Sequence, residues 1–180
     1  LGLPGSASRD TALAVLAAHG LQPADLASSS ELDLQSALSA LRDGQLDALL
    51  QVIGTPADTI SAASAALDLR LLALEPAAVA ALQDSRPGTF AFTRAAGSYP
   101  RQTEAVPTLA VSSLLLTEQA LTNREAQQLL KLLFSPDAQW LSLGSVQGSQ
   151  LSANQPLAKI AIPLHVGALE ALKDAPPSAP

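Results

Sequence analysis

The first 85 residues alternate short apolar runs with alanine- and leucine-rich stretches at helical spacing, each junction marked by Gly or Pro. This alternation decides the fold class. Leu1-Gly2-Leu3 gives way at Pro4-Gly5 to the alanine-rich run 11–18, which Gly20 closes, so the chain opens as strand end, turn and helix. Ser6 or Ser8 supplies the N-cap, Asp10 suits the positive end of the helix dipole, and Gly20 suits the position after the C-cap. Beyond the polar stretch 22–30, Leu34, Leu38 and Leu41 recur one turn apart and predict a helix over 32–42. Residues 46–53 and 69–74 read as short buried strands, 57–66 as a helix, and 77–83 as a helix with Pro76 at its first position. Strand, helix, strand, helix at this spacing predicts an α/β domain, a mostly parallel sheet with helices on both faces.

Further along, the pattern predicts a strand over 89–92, a polar loop over 95–104, an extended run over 108–116, helices near 124–134 and 136–143, and a last helix over 163–173. Trp140 falls in a helical region and reads as core. Residues 174–180 hold three prolines and read as a linker or tail. There is no internal repeat. Hydrophobic residues make up 48% of the chain and aromatics 3%, so there is material for a core but Leu and Ala have to fill it.

Several classes of chemistry drop out. The chain has no Cys, which removes disulfides, thiolate metal sites and cysteine nucleophiles. It has no Met, so it is expected to be part of a longer reading frame. No apolar run reaches the roughly 18 residues of a membrane-spanning helix. The nearest, 106–116, is broken by Pro107, Thr108, Ser112 and Ser113. Ten basic against sixteen acidic residues give a net charge of −6, and the basic ones are scattered, which opposes a nucleic-acid partner. His19 near a helix end and His165 in the Pro163-Leu164-His165 turn stand apart from carboxylates at ligand spacing, so no metal is expected. Neither a Gly-x-Ser-x-Gly elbow nor a nucleophile with a paired base is legible; an enzyme is not expected, nor a cofactor.

Three segments carry candidate chemistry. At Gly5, Ser6, Ala7, Ser8 and Arg9, a turn between strand and helix leaves the first helical N–H groups without internal partners, beside hydroxyls and a cation. An anion fits there; an ordinary capped helix accounts for the same residues. No Walker loop is present. Gly54, Thr55 and Pro56 follow the apolar run 46–53, and ligands of open α/β sheets sit beyond the carboxyl ends of strands; a plain strand-to-helix connection is the alternative. Ser98 and Tyr99, before Pro100, hold the single Tyr of the chain, either facing a ligand or plugging a gap with its hydroxyl at solvent. Arg94 and Arg101 flank this block and read as solvated surface arginines.

Taken in order, four blocks resemble one family: Gly2-Leu3-Pro4-Gly5-Ser6-Ala7-Ser8-Arg9; Asp43-Gly44-Gln45-Leu46-Asp47-Ala48 running on to Gly54-Thr55-Pro56 and Ile60; Gly97-Ser98-Tyr99-Pro100 with Gln102, Val106 and Thr108-Leu109-Ala110-Val111; and Pro163-Leu164-His165 with Gly167-Ala168. The chain resembles the TRAP-associated extracytoplasmic immunogenic (TAXI) solute-binding proteins, of the type II periplasmic binding protein superfamily. It departs from them at Ala7, where the turn usually has Gly, at Arg101, where Pro-Gly-Gln is usual, and at His165-Val166-Gly167, where Pro-Gly is usual.

The resemblance implies a periplasmic-binding-protein-like lobe, with 1–108 forming the second lobe of a two-lobe receptor, 109–173 returning toward the first, and 174–180 a tail. Most of the first lobe is not in the sequence, so these 180 residues alone are expected to bind solute weakly or not at all. Implied too are a periplasmic or extracytoplasmic location, with a membrane anchor in the full-length protein, and capture of a small anionic solute, a glutamate-like amino acid or a dicarboxylate. The partners so implied are membrane subunits of a TRAP-type transporter. Gly5, Ser6, Ala7, Ser8, Arg9, Gly54, Thr55, Pro56, Ser98 and Tyr99 are the ligand-binding residues on this reading. The alternative is a membrane-tethered sensing or interaction module on the same fold. Apolar surface left bare predicts self-association.

Overall fold

The computed structural model describes residues 1–135 and 162–173. The chain divides into two units, Leu1–Val111 and Ser112–Pro180.

In the first unit, helix α1 spans Ala7–Ala18. Ser6 is its N-cap, the hydroxyl accepting the Arg9 N–H at 3.2 Å. At the other end Gly20 turns left-handed (φ 72°), while the Gly20 and Leu21 amides donate to Ala17 O and Leu16 O. These two bonds satisfy carbonyls the helix leaves open. A 3-10 turn follows at Pro23–Asp25. Helix α2, Leu34–Arg42, begins where the Asp33 carboxylate accepts the Ser36 N–H at 2.9 Å, two residues later than the leucine spacing alone suggests. Gly44 (φ 69°) ends it in the same manner as Gly20 ends α1. Helix α3 spans Asp58–Ala66, and α4 spans Pro76–Ser85 with Pro76 in the first turn, where its missing N–H is not needed.

Strands β1 (Thr89–Arg94) and β2 (Val106–Val111) pair antiparallel, from Thr89 opposite Val111 to Arg94 opposite Val106. Helix α4 packs on this pair and on α1. The core is small-residue, as the composition requires: Ala12 and Val15 from α1, Ala37 and Leu38 from α2, Val79 and Leu82 from α4.

The expected mostly parallel sheet is not what the described residues form; among them the strand ladder is the antiparallel β1–β2 pair. Residues 46–53 and 69–74 carry no ladder. A parallel sheet persists when both faces are covered, and Leu72, in the second of these runs, is 70% exposed. Two local contacts retain some of the expected geometry. The Leu1 amino group donates to Ser30 O and Leu1 O accepts the Leu32 N–H, the exchange of a parallel pair one residue long. Leu74 N–H donates to Pro107 O on β2. The extended run expected over 108–116 stops at Val111, where β1 runs out of partners at Thr89, and Leu114, Leu115 and Leu116 are exposed.

In the second unit, α5 spans Asn123–Leu133 and α6 spans Val166–Lys173, and the two pack together. Thr122 and Glu125 form a capping box at the start of α5. Gly167 lies so close to α5 that a Cβ would stand 2.8 Å from Asn123 Cα. His165 precedes α6: its Nδ1 accepts the Gly167 N–H at 3.1 Å, which leaves Nε2 as the donor to Leu121 O at 2.9 Å. The predicted helix 136–143, Trp140 and the tail 174–180 lie outside the described residues. Among the described residues no helix is long and apolar enough to cross a membrane.

Candidate functional site

The turn before α1 is built by short-range bonds. Ser6 N–H donates to Leu3 O at 3.1 Å, Gly5 takes φ 74°, and Ser6 then caps the helix. Gly2 lies against this turn: a Cβ there would meet Ser6 Oγ and Ser8 Cβ at 2.8 Å and the Arg9 amide at 2.9 Å. Ala7 and Ser8 are the first two helical positions, whose amides have no carbonyl inside the helix to receive them. The Ser8 hydroxyl is buried and accepts the Val52 N–H at 3.1 Å across 44 residues of sequence. Arg9 points its Nε at Glu31 Oε1 at 2.7 Å, and its Nη2 contacts the same oxygen. Its charge is therefore matched by a carboxylate of the protein.

Gly54, Thr55 and Pro56 come directly after Val52 and Ile53, and the Thr55–Pro56 peptide is cis. Thr55 Oγ1 accepts a hydrogen bond from Arg94 Nη1 at 2.8 Å. The Arg94 guanidinium carbon lies 5.1 Å from the Phe92 ring centroid, a cation–π distance. One residue beyond Pro56, the Ala57 N–H donates to the Tyr99 hydroxyl at 3.1 Å, and Tyr99 is 6% exposed.

The loop that carries Tyr99 is bound to itself and to α3. Ser98 Oγ donates to Ala95 O at 2.7 Å, and Gln102 Nε2 donates to Ala95 O and Glu104 O. Arg101, at φ 63°, donates to Ala65 O and Leu67 O at the end of α3. Two buried side-chain atoms have no hydrogen-bond partner among the described residues, Arg94 Nε and Gln102 Oε1, and both belong to the ends of this loop.

Three long-range hydrogen bonds thus stitch the candidate segments together: Ser8 to 52, Thr55 to 94, and Tyr99 to 57. Ser98 turns into its own loop and Arg9 turns to Glu31. Arg94 is the residue that sequence reasoning set aside as solvated surface. The available signal was its place at the end of the alternating run Thr89-Phe90-Ala91-Phe92-Thr93-Arg94, where Phe92 shares its face of the strand. Hydroxyls, helix-start amides and a guanidinium make a donor-rich set suited to holding an acceptor-rich ligand. Among the described residues no group of three His, Cys, Asp or Glu side chains is placed to hold a metal ion.

A family model described as NMT1-like matches residues 1–175, nearly the whole sequence. The chain belongs to the NMT1-like family. Members of the NMT1-like family are solute-binding proteins of the type II periplasmic-binding-protein class, typically extracytoplasmic, and their ligands are small molecules. Membership assigns the periplasmic-binding-protein-like fold, to which the described helices and the two-stranded antiparallel sheet contribute. No curated protein matches the sequence.

Proposed function

We propose that this chain is the solute-capturing part of an extracytoplasmic receptor of the TAXI kind, serving a TRAP-type transporter, and that its solute is a small anion: a glutamate-like amino acid or a dicarboxylate. It acts by binding and release, without catalysis. The four sequence blocks in family order support the TAXI assignment within the NMT1-like family. The observation that carries the anionic solute is the stitching of the α1 start, the Thr55 segment and the Arg94–Tyr99 segment into one part of the first unit, with hydroxyl, amide and guanidinium donors. A helix start presents N–H groups to an acid without reorganisation, and an arginine adds a full charge. Membrane subunits of the transporter are the partners on this reading.

The test is a titration of the isotopically labelled chain, followed by amide NMR. Glucose and putrescine serve as neutral and cationic controls. L-glutamate and succinate are expected to move the amide signals of Ala7, Ser8 and Thr55, and the controls to leave them in place. Binding of glucose or putrescine with no response to either acid overturns the proposal.

A further inference from the structure

The two histidines of the chain meet a proton in opposite ways. His19 is the C-cap of α1, with Nδ1 2.8 Å from Val15 O; a carbonyl can only accept, so Nδ1 carries the hydrogen. A second proton goes to Nε2 and leaves that bond in place, beside helix-end carbonyls that favour a cation. His165 stands at the opposite pole of a helix. Its carbonyl accepts the Ala168 and Leu169 amides at 2.9 and 3.1 Å, which begins α6, and its Nδ1 accepts the Gly167 N–H at 3.1 Å. Nε2–H is committed to Leu121 O at 2.9 Å. The lone pair that caps α6 is therefore the place where this ring would take a proton.

We propose that His165 is a proton-sensitive cap, through which mild acid releases α6 from α5. Protonated, the ring has two donors and no acceptor, so Gly167 N–H loses its partner and meets a second N–H. The added charge also lies at the positive end of the α6 dipole, and both effects push the same way. Helix α6 has eight residues, too few to hold as a helix without its packing. That packing is close: Gly167 has no room for a Cβ against Asn123, and Ala126 and Ala171 are buried. The ionisable groups on the surrounding elements are Glu118 before α5, Arg124, Glu125 and Lys131 on α5, and Glu170 and Lys173 on α6. Glu125 is turned to Thr122 and Glu170 to Gln127, and among the described residues no carboxylate pairs with the ring to hold an imidazolium. The docked helix excludes the proton and the released helix accepts it. Docking is thus complete above the ordinary imidazole range, about pH 6.5, and is lost as pH falls below it. The inference is independent of the solute, so its failure leaves the receptor reading untouched.

The test follows hydrogen exchange in the isotopically labelled 180-residue chain from about pH 7.5 to about pH 5.5, the span of the imidazole titration. Glu125 stays ionised throughout, since its carboxyl is held below the ordinary 4.5, so the start of α5 remains capped. Protection of the Gly167, Ala168 and Leu169 amides, each referred to its intrinsic rate at that pH, is expected to fall about tenfold by about pH 5.5. The last turn of α1, where His19 keeps its bond, is expected to hold its protection. His165→Asn retains an acceptor at the helix start and does not titrate, so its α6 protection should be flat over the same range. Unchanged protection of the three amides in the unmodified chain, or the same fall in His165→Asn, overturns the proposal. Should the Asn variant not fold, the ring nitrogen signals of the unmodified chain decide. They are expected to place the hydrogen on Nε2 at about pH 7.5, with the Gly167 amide signal moving as the ring gains its proton. A hydrogen on Nδ1 at that pH, or a Gly167 signal that stays still while the ring titrates, overturns the proposal as well.

Discussion

Replacing Tyr99 by Phe removes one oxygen and leaves the ring, so it isolates the bond from the Ala57 amide to the phenol. Both residues are buried, at 6% and 5% exposure, and the bond is 3.1 Å long. The phenyl group would fill nearly the same volume, and the apolar contacts of the ring are retained. What changes is the Ala57 N–H, which is left in the interior with no acceptor. An orphaned buried donor costs about 1–3 kcal/mol. In urea unfolding a loss of about 2 kcal/mol moves the midpoint by about 1 M, given the usual slope for small domains. Because the chain has two units, a local readout is needed as well: hydrogen exchange at the Ala57 amide should accelerate about tenfold for each 1.4 kcal/mol lost. Ser98→Ala is the control. Its hydroxyl bonds within an exposed loop, and its effect should stay within about 0.5 kcal/mol. An unchanged midpoint together with unchanged exchange at Ala57 in Tyr99→Phe would refute the reasoning, since ring packing alone would then hold the two segments.

Two further outcomes are expected. Gly2→Ala would place a Cβ 2.8 Å from Ser6 Oγ and Ser8 Cβ, so α1 must shift, at about 1–3 kcal/mol for overpacking; thermal unfolding and faster exchange of the Val52 amide, which Ser8 now holds, are the measures. Acid should fray the helix starts. The Glu125 carboxyl is held below its ordinary 4.5 by the Thr122 hydroxyl and amide, and Asp33 below its ordinary 3.8 by the Ser36 amide and hydroxyl. The unfolded chain therefore takes up these protons first, so the stabilisation is present above the ordinary values and is lost as pH falls through the lower folded ones. Protection of the first α5 amides should hold from neutral pH to about pH 5 and decline below it. Glu125→Gln should abolish that decline in α5 and leave it in α2.

What the sequence disclosed depends on how far each feature reaches along the chain. Ser6, Gly20 and Pro76 act within one turn of themselves, so cap, stop and first-turn position were all legible, and α1 and α4 fell near their expected bounds. Ser6 and Ser8 were equal candidates for the cap. The structure gives it to Ser6 and ties Ser8 to Val52, a choice set by a contact 44 residues away. The sheet was the least legible feature. An apolar run such as 69–74 has the same composition whether or not a neighbour pairs with it, and pairing is decided by segments elsewhere. Arg9 and Arg94 show the same limit at the site: the partner of one is 22 residues off, of the other 39, and nothing in either neighbourhood announces it. Tyr99 was open between ligand and gap-filler, and its hydroxyl is occupied by the Ala57 amide.

One ring in the second unit behaves as a latch. With Nδ1 receiving from Gly167 and Nε2 giving to Leu121, the imidazole of His165 has both nitrogens engaged at once. A reagent that acylates imidazole must wait until the first turn of α6 lets go, so its rate of attack counts openings of that helix instead of measuring how much of the ring meets water.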